Sequence, residues 1–102
     1  MLEVANRAYY ACYYCMVVLV YTKNASAKTH QGIITRFSEL FIKTKLFPPE
    51  ISNNIAAIFK FRQVADYDLT TDIAIDKAQE LINSAKGFIL LTRKYFEEFS
   101  IG

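Results

Sequence analysis

The chain has 102 residues, 53% of them apolar and 22% charged, which excludes an intrinsically disordered segment and fits one domain with one modest core. Three Gly and two Pro are too few for the many tight turns of a small β protein, and a net charge of +2 does not by itself imply a polyanion partner. That charge is uneven, with a net +3 over residues 1–51 and a net −1 over residues 52–102.

Hydrophobic periodicity reads as helix throughout, in four segments. The first runs from about Leu2 to Tyr21 and contains an unbroken apolar stretch from Ala8 to Tyr21. Apolar on nearly all sides, it is expected to be a central helix covered by its neighbours. The stretch is too short for a membrane span, which needs about 18–20 residues. Ala25-Ser26-Ala27 imitates a signal-peptidase site, but Glu3 beside Arg7 leaves no net positive charge before the run. A cytoplasmic location is therefore the default expectation. Cys12-Tyr13-Tyr14-Cys15 has redox-motif spacing. It lies inside the apolar run with no strand before it, and with one His and no further Cys it is expected to pack in the core rather than hold a metal.

Thr22–Lys28 is polar and reads as a loop. A second helix starts with Thr29 as N-cap and runs to about Lys45, its stripe formed by Ile33, Phe37, Leu40, Phe41 and Thr44. Pro48-Pro49 stops it and opens the third helix, Pro49 to Tyr67, with Glu50 at the positive end. The third stripe is Ile51, Ile55, Ile58 and Phe59, continued by Arg62, Ala65 and Leu69. Asp68–Ile73 reads as a connector. The last helix spans about Ala74 to Phe99, with Ala78, Leu81, Ile82, Ala85, Phe88 or Ile89, Thr92, Phe96 and Phe99 on one face. Gly87 inside it permits either a close helix crossing or tolerated slack. With no repeat and no second domain, residues 1–102 form a single domain, an all-α antiparallel up-and-down four-helix bundle.

Catalytic signatures are mostly absent. The glycines form no phosphate loop, no Ser-centred elbow occurs, and one His excludes paired-histidine metal sites, so neither a metal nor another cofactor is expected. The informative residue is Arg62, because a permanent cation on an apolar stripe needs a partner or a ligand. Asp66 is four residues on, at ion-pair spacing. Either the two form a structural pair near a helix end, or Arg62 lines a cleft and meets a phosphate with its guanidinium fork. Tyr67 could cap the core, stack on a base or hydrogen-bond. Arg7 shares one face of the first helix with Tyr10 and Tyr14; it is either a solvated end residue or faces the Arg62 region. His30 sits in the first turn of the second helix, where a lone His is usually a surface or capping residue.

In this order, Asn6-Arg7-Ala8-Tyr9-Tyr10-Ala11, Lys28-Thr29-His30-Gln31-Gly32-Ile33 and Arg62-Gln63-Val64-Ala65-Asp66-Tyr67, before a long helix with Ala78 and Ala85, resemble the HEPN domain family (higher eukaryotes and prokaryotes nucleotide-binding). The match is to its small stand-alone prokaryotic members. The resemblance implies a helical bundle, often dimeric. Many members are metal-independent endoribonucleases, frequently toxins paired with a minimal nucleotidyltransferase antitoxin. Their motif is Arg, four to six residues, then His, and two motifs meet across the dimer. Arg62 matches the motif arginine, but Tyr67 stands at the histidine position of a four-residue gap and no His follows. Tyrosine, with a reference pKa of about 10, is a poor general base at pH 7, which argues for RNA or nucleotide binding over cleavage. Arg62, Asp66 and Tyr67 are the expected contacts, with Arg7 and His30 as further candidates; an active ribonuclease using His30, or a purely structural interaction module, are the alternatives. Some members have a Tyr near the motif adenylylated by the partner enzyme, a spacing Tyr67 matches poorly. Members also usually carry another helix before the Arg-Ala-Tyr-Tyr stretch, whereas five residues precede Asn6 here. A bundle lacking that helix would expose part of the first helix and self-associate through it.

Overall fold

The computed structural model describes residues 2–64 and 72–101. These form α1 (Leu2–Tyr21), α2 (His30–Phe37) continued by a π-helical turn (Ser38–Ile42), α3 (Pro49–Val64) and α4 (Asp72–Ile101), with no strand among the described residues. The expected all-α bundle is what forms.

The chain's one long apolar run is the hub, since α2, α3 and α4 all pack on α1. Tyr9, Cys12, Met16, Leu19 and Val20 point inward. They meet Ile33, Phe37 and Phe41 from the second segment, Ile55 and Ile58 from α3, and Leu81, Ala85 and Phe88 from α4. The covering is not complete. Tyr10, Tyr14, Val18 and Tyr21, spaced along one side of α1, are exposed, Tyr14 by 62% and Tyr21 by 59%. Tyrosine tolerates that position because its hydroxyl stays in water while the ring lies along the helix.

Asn24, at φ 58°, turns the chain after α1, a left-handed position that Asn accepts more readily than most residues. Thr29 then caps α2, its hydroxyl accepting from the Gly32 amide at 2.9 Å. Gly32 has a steric reason to be there: a Cβ would lie 2.9 Å from the Ala27 Cβ and 3.0 Å from the Thr29 hydroxyl. His30 thereby lands beside Tyr9 and Tyr13, while Phe41 lies by Lys23 and Tyr95, so α2 runs in the same sense as α1 and not antiparallel to it as the up-and-down arrangement expects, because the segment 22–29 carries the chain back along α1 before α2 begins. α3 returns the other way, bringing Arg62 to Asn6.

The second helix differs from its expected course to Lys45. The regular α-helix ends at Phe37, the π turn follows, and the chain reverses through Lys45 at φ 66°. The Phe47 amide then donates to the Phe41 carbonyl at 2.9 Å. This places Phe47 in the core and leaves Thr44 exposed instead of on the stripe. The cause is tertiary: Phe37, Phe41, Phe47, Phe88 and Tyr95 stack edge-to-face with ring centres 5.4–6.1 Å apart. Such ring pairs add about 0.5–1.5 kcal/mol each beyond their buried area.

On α4, Ala78, Leu81, Ala85, Phe88 and Thr92 are buried, which makes Phe88 rather than Ile89 the core residue. A Cβ at Gly87 would meet nothing within 4 Å, so this glycine is slack and serves no helix crossing. Cys12 is buried and Cys15 half-buried, both free thiols. Burial pushes the Cys12 thiol up to about 12, helped by the neighbouring Cys15. It also raises Cys15, against a hydrogen bond from the Thr92 side chain. Both thiols therefore behave as core packing groups, as expected.

Candidate functional site around Arg62

The site lies where the last turns of α3 meet the first turns of α1. Arg62 is half-buried on the α3 face that carries Ile55 and Ile58, so its stem crosses apolar surface and its head must find polar company. Its Nε donates to Asn6 Oδ1 at 2.7 Å, across 56 positions of sequence. Its guanidinium carbon stands 4.6 Å from the Tyr9 ring centre and 5.3 Å from that of Tyr10. Asn6, Tyr9 and Tyr10 share a side of α1 because they are spaced i, i+3 and i+4. These three described contacts are neutral groups: an amide oxygen and two ring faces. They fix the plane of the guanidinium without cancelling its charge.

Tyr9 extends the arrangement. Its ring is buried against Phe59, centres 5.3 Å apart, while its hydroxyl lies 3.1 Å from His30 Nδ1. Burial raises the Tyr9 phenol above its usual range, outweighing the pull of the Arg62 charge, so the hydroxyl keeps its proton at neutral pH. His30 is exposed, with its ring centre 4.2 Å from that of Tyr13. Since Tyr9 occupies Nδ1, Nε2 is the nitrogen that the described residues leave for a ligand.

The residues expected to form the site divide three ways. Arg62 and His30 are brought together on opposite parts of one tyrosine. Arg7 is exposed and lines a different groove, between α1 and α4, with Ala8, Ala11, Ile82, Ala85, Lys86 and Ile89. Asp66 and Tyr67 lie outside the described residues. Asn6 and Tyr9 enter the site from the Asn-Arg-Ala-Tyr-Tyr motif without having been singled out. The signal that could have found them is their i, i+3 placement on the side of α1 that also carries Tyr10. Among the described residues no cluster of three or more His, Cys, Asp or Glu could hold a metal ion. No described helix is long and apolar enough to cross a membrane.

An anchored guanidinium on an aromatic floor, with an imidazole one ring away, can bind an oxyanion and offer a second hydrogen-bonding group beside it. Comparison with known proteins places the chain among its relatives. The chain is 36% identical over 90 residues to "Putative toxin MJ0142" of Methanocaldococcus jannaschii, covering 88% of this chain and 61% of that one. It is 31% identical over 97 residues to "Putative toxin MJ0605" of the same organism, covering 94% and 71%. It is 28% identical over 93 residues to "UPF0332 protein" of Thermotoga maritima, covering 91% and 70%. The chain thus spans three fifths to about seven tenths of the length of these relatives. No solved structure matches it. The HEPN domain matches residues 1–95, nearly the whole sequence and all of the Asn6–Tyr9–His30–Arg62 arrangement, and the chain belongs to the HEPN domain family.

Proposed function

We propose that this chain is a toxin-type HEPN protein that binds RNA or a nucleotide through Arg62, as a homodimer in a toxin–antitoxin-like module with a nucleotidyltransferase partner. The observation that carries the reading is the anchoring of Arg62: Asn6 takes Nε, two tyrosine rings take the face, and these contacts among the described residues are all with neutral groups at a half-exposed position. A phosphate is the ligand its fork matches, and the partly exposed Tyr10 beside it offers a face on which a base can stack. The toxin names of two relatives favour an active role over a purely structural module. The uncovered Tyr14–Val18–Tyr21 side of α1 is the surface proposed for the dimer. Binding without cleavage follows from Tyr67 at the motif histidine position, since a phenol is a poor proton acceptor near neutral pH.

The bond between Tyr9 and His30 favours a second reading, a metal-independent endoribonuclease in which His30 supplies the imidazole from α2. One experiment separates the two. A fluorescein-labelled single-stranded RNA is titrated with wild type, Arg62→Ala and His30→Ala in EDTA, and the same samples are run on a denaturing gel. The binding reading expects intact RNA and an affinity at least tenfold lower for Arg62→Ala. Cleavage that vanishes in His30→Ala establishes the second reading. Equal affinity of wild type and Arg62→Ala, with a lowered melting temperature, leaves a structural module.

A further inference from the structure

Between α2 and α3 the bundle leaves a cleft of about 210 Å³ open to solvent. Its origin is legible in the residues. The row of α3 facing α2 is Ser52, Ala56 and Phe59, two small side chains followed by a large one. Opposite them α2 changes to π geometry at Ser38, which widens the helix at that point; such turns are frequent at functional sites. Met16 and Ile55 complete an apolar interior with Phe59, while Gln31, Ser38 and Ser52 bring an amide and two hydroxyls to the lining.

The size and chemistry select a class of guest. Pockets for drug-sized molecules run to about 300–1,000 Å³, so this cleft suits a single flat ring system. An aromatic wall with aliphatic neighbours suits a ring face. Gln31 and the two serines can each donate or accept, which suits a ring edge carrying both kinds of group. That combination describes an unpaired nucleobase. Two side chains link the cleft to the cation. Phe59 precedes Arg62 by about one helical turn and packs on the Tyr9 ring that carries the guanidinium. Gln31 directly follows His30.

We propose that the α2–α3 cleft is the base subsite of the phosphate site at Arg62, taking one unstacked nucleobase while Arg62 holds its phosphate; this rests on the reading of Arg62 as a phosphate ligand. The fold of the chain sets the spacing, because α3 supplies both the wall and the cation on consecutive turns.

The probes are ribose 5-phosphate, which has the phosphate and no base, and the four 5′-mononucleotides. They are titrated into wild type, Ala56→Leu and Arg62→Ala, following the methyl signals of Ile34 and Ile55 by NMR. Ala56 is exposed at the cleft, so leucine there fills the opening without entering the core, and a thermal melt verifies the fold. The expected result is at least one mononucleotide binding tenfold or more tighter than ribose 5-phosphate. In Ala56→Leu that advantage shrinks to within twofold while ribose 5-phosphate binds as before. In Arg62→Ala both ligands weaken. Mononucleotides and ribose 5-phosphate binding alike, both dependent on Arg62, would overturn the base subsite and leave the phosphate reading standing. A base preference that responds to Ala56→Leu but not to Arg62→Ala would overturn the phosphate reading and detach the cleft from it. No preference and no Arg62 dependence would overturn both.

Discussion

Replacing Asn6 by Asp changes one atom's chemistry at the centre of the site. Asn6 Oδ1 sits 2.7 Å from Arg62 Nε, so the carboxylate of Asn6→Asp inherits an acceptor position already in use. For folding this is mild. A neutral acceptor becomes a charged one in an early turn of α1, where the helix end favours negative charge, and Arg62 is half-buried, so the gain is about 0–1 kcal/mol. For binding it is severe. An anion docked on the outer edge of the guanidinium would lie roughly 6 Å from the new carboxylate; at an effective dielectric of about 40 the repulsion is about 1.4 kcal/mol, a tenfold loss of affinity. The loss should shrink as salt is raised, because the interaction is between partly exposed charges. The assay pairs urea denaturation with titration of a labelled single-stranded RNA at low and high salt. Unchanged affinity with equal or higher stability would refute the phosphate role and reduce Arg62 to a strut between α3 and α1. A clearly lowered urea midpoint would refute the anchoring geometry itself.

Other expectations follow from the fold. Gly32→Ala should destabilise by about 1–3 kcal/mol despite alanine's better helix propensity, because the added methyl crowds Ala27 and the Thr29 cap; a thermal melt reads it. Lys45→Gly should stabilise by roughly 0.5–1 kcal/mol in the same assay, since lysine at φ 66° carries a left-handed penalty that glycine lacks. Cys12 is pushed up to about 12 from a free-thiol value of 9.0, so its proton is retained on folding and lost on unfolding between those limits. Its contribution is complete below about pH 9 and is lost as pH rises toward 12, so urea midpoints should fall over that window, and less steeply in Cys12→Ala.

Much of the architecture is legible in the residues because its cause is local. Nothing interrupts Leu2–Tyr21, so its helix ends where the polar segment begins, and Thr29 caps α2 through a bond to a residue three positions on. The end of the second segment is not legible. Phe41 and Phe47 compete for the same aromatic cluster, and satisfying both requires a π turn and a left-handed lysine that no helical periodicity announces. The site divides along the same line. A cation on an apolar stripe marks Arg62 without any structure, and the spacing within its own helix offers Asp66 as partner. Its described partner, Asn6, belongs to another helix, and only the return of α3 along α1 brings the two together. Likewise His30 reads as an ordinary first-turn residue until the loop before α2 carries it back to Tyr9.

That one phenol ring supports a guanidinium on its face and an imidazole at its hydroxyl has a consequence for how the protein can vary. Substitutions at positions 30 and 62 should not combine independently, and a double-mutant cycle should return a coupling energy that vanishes once Tyr9 is replaced by leucine. Drift at either position is thereby tied to the other, although thirty-two positions of chain separate them.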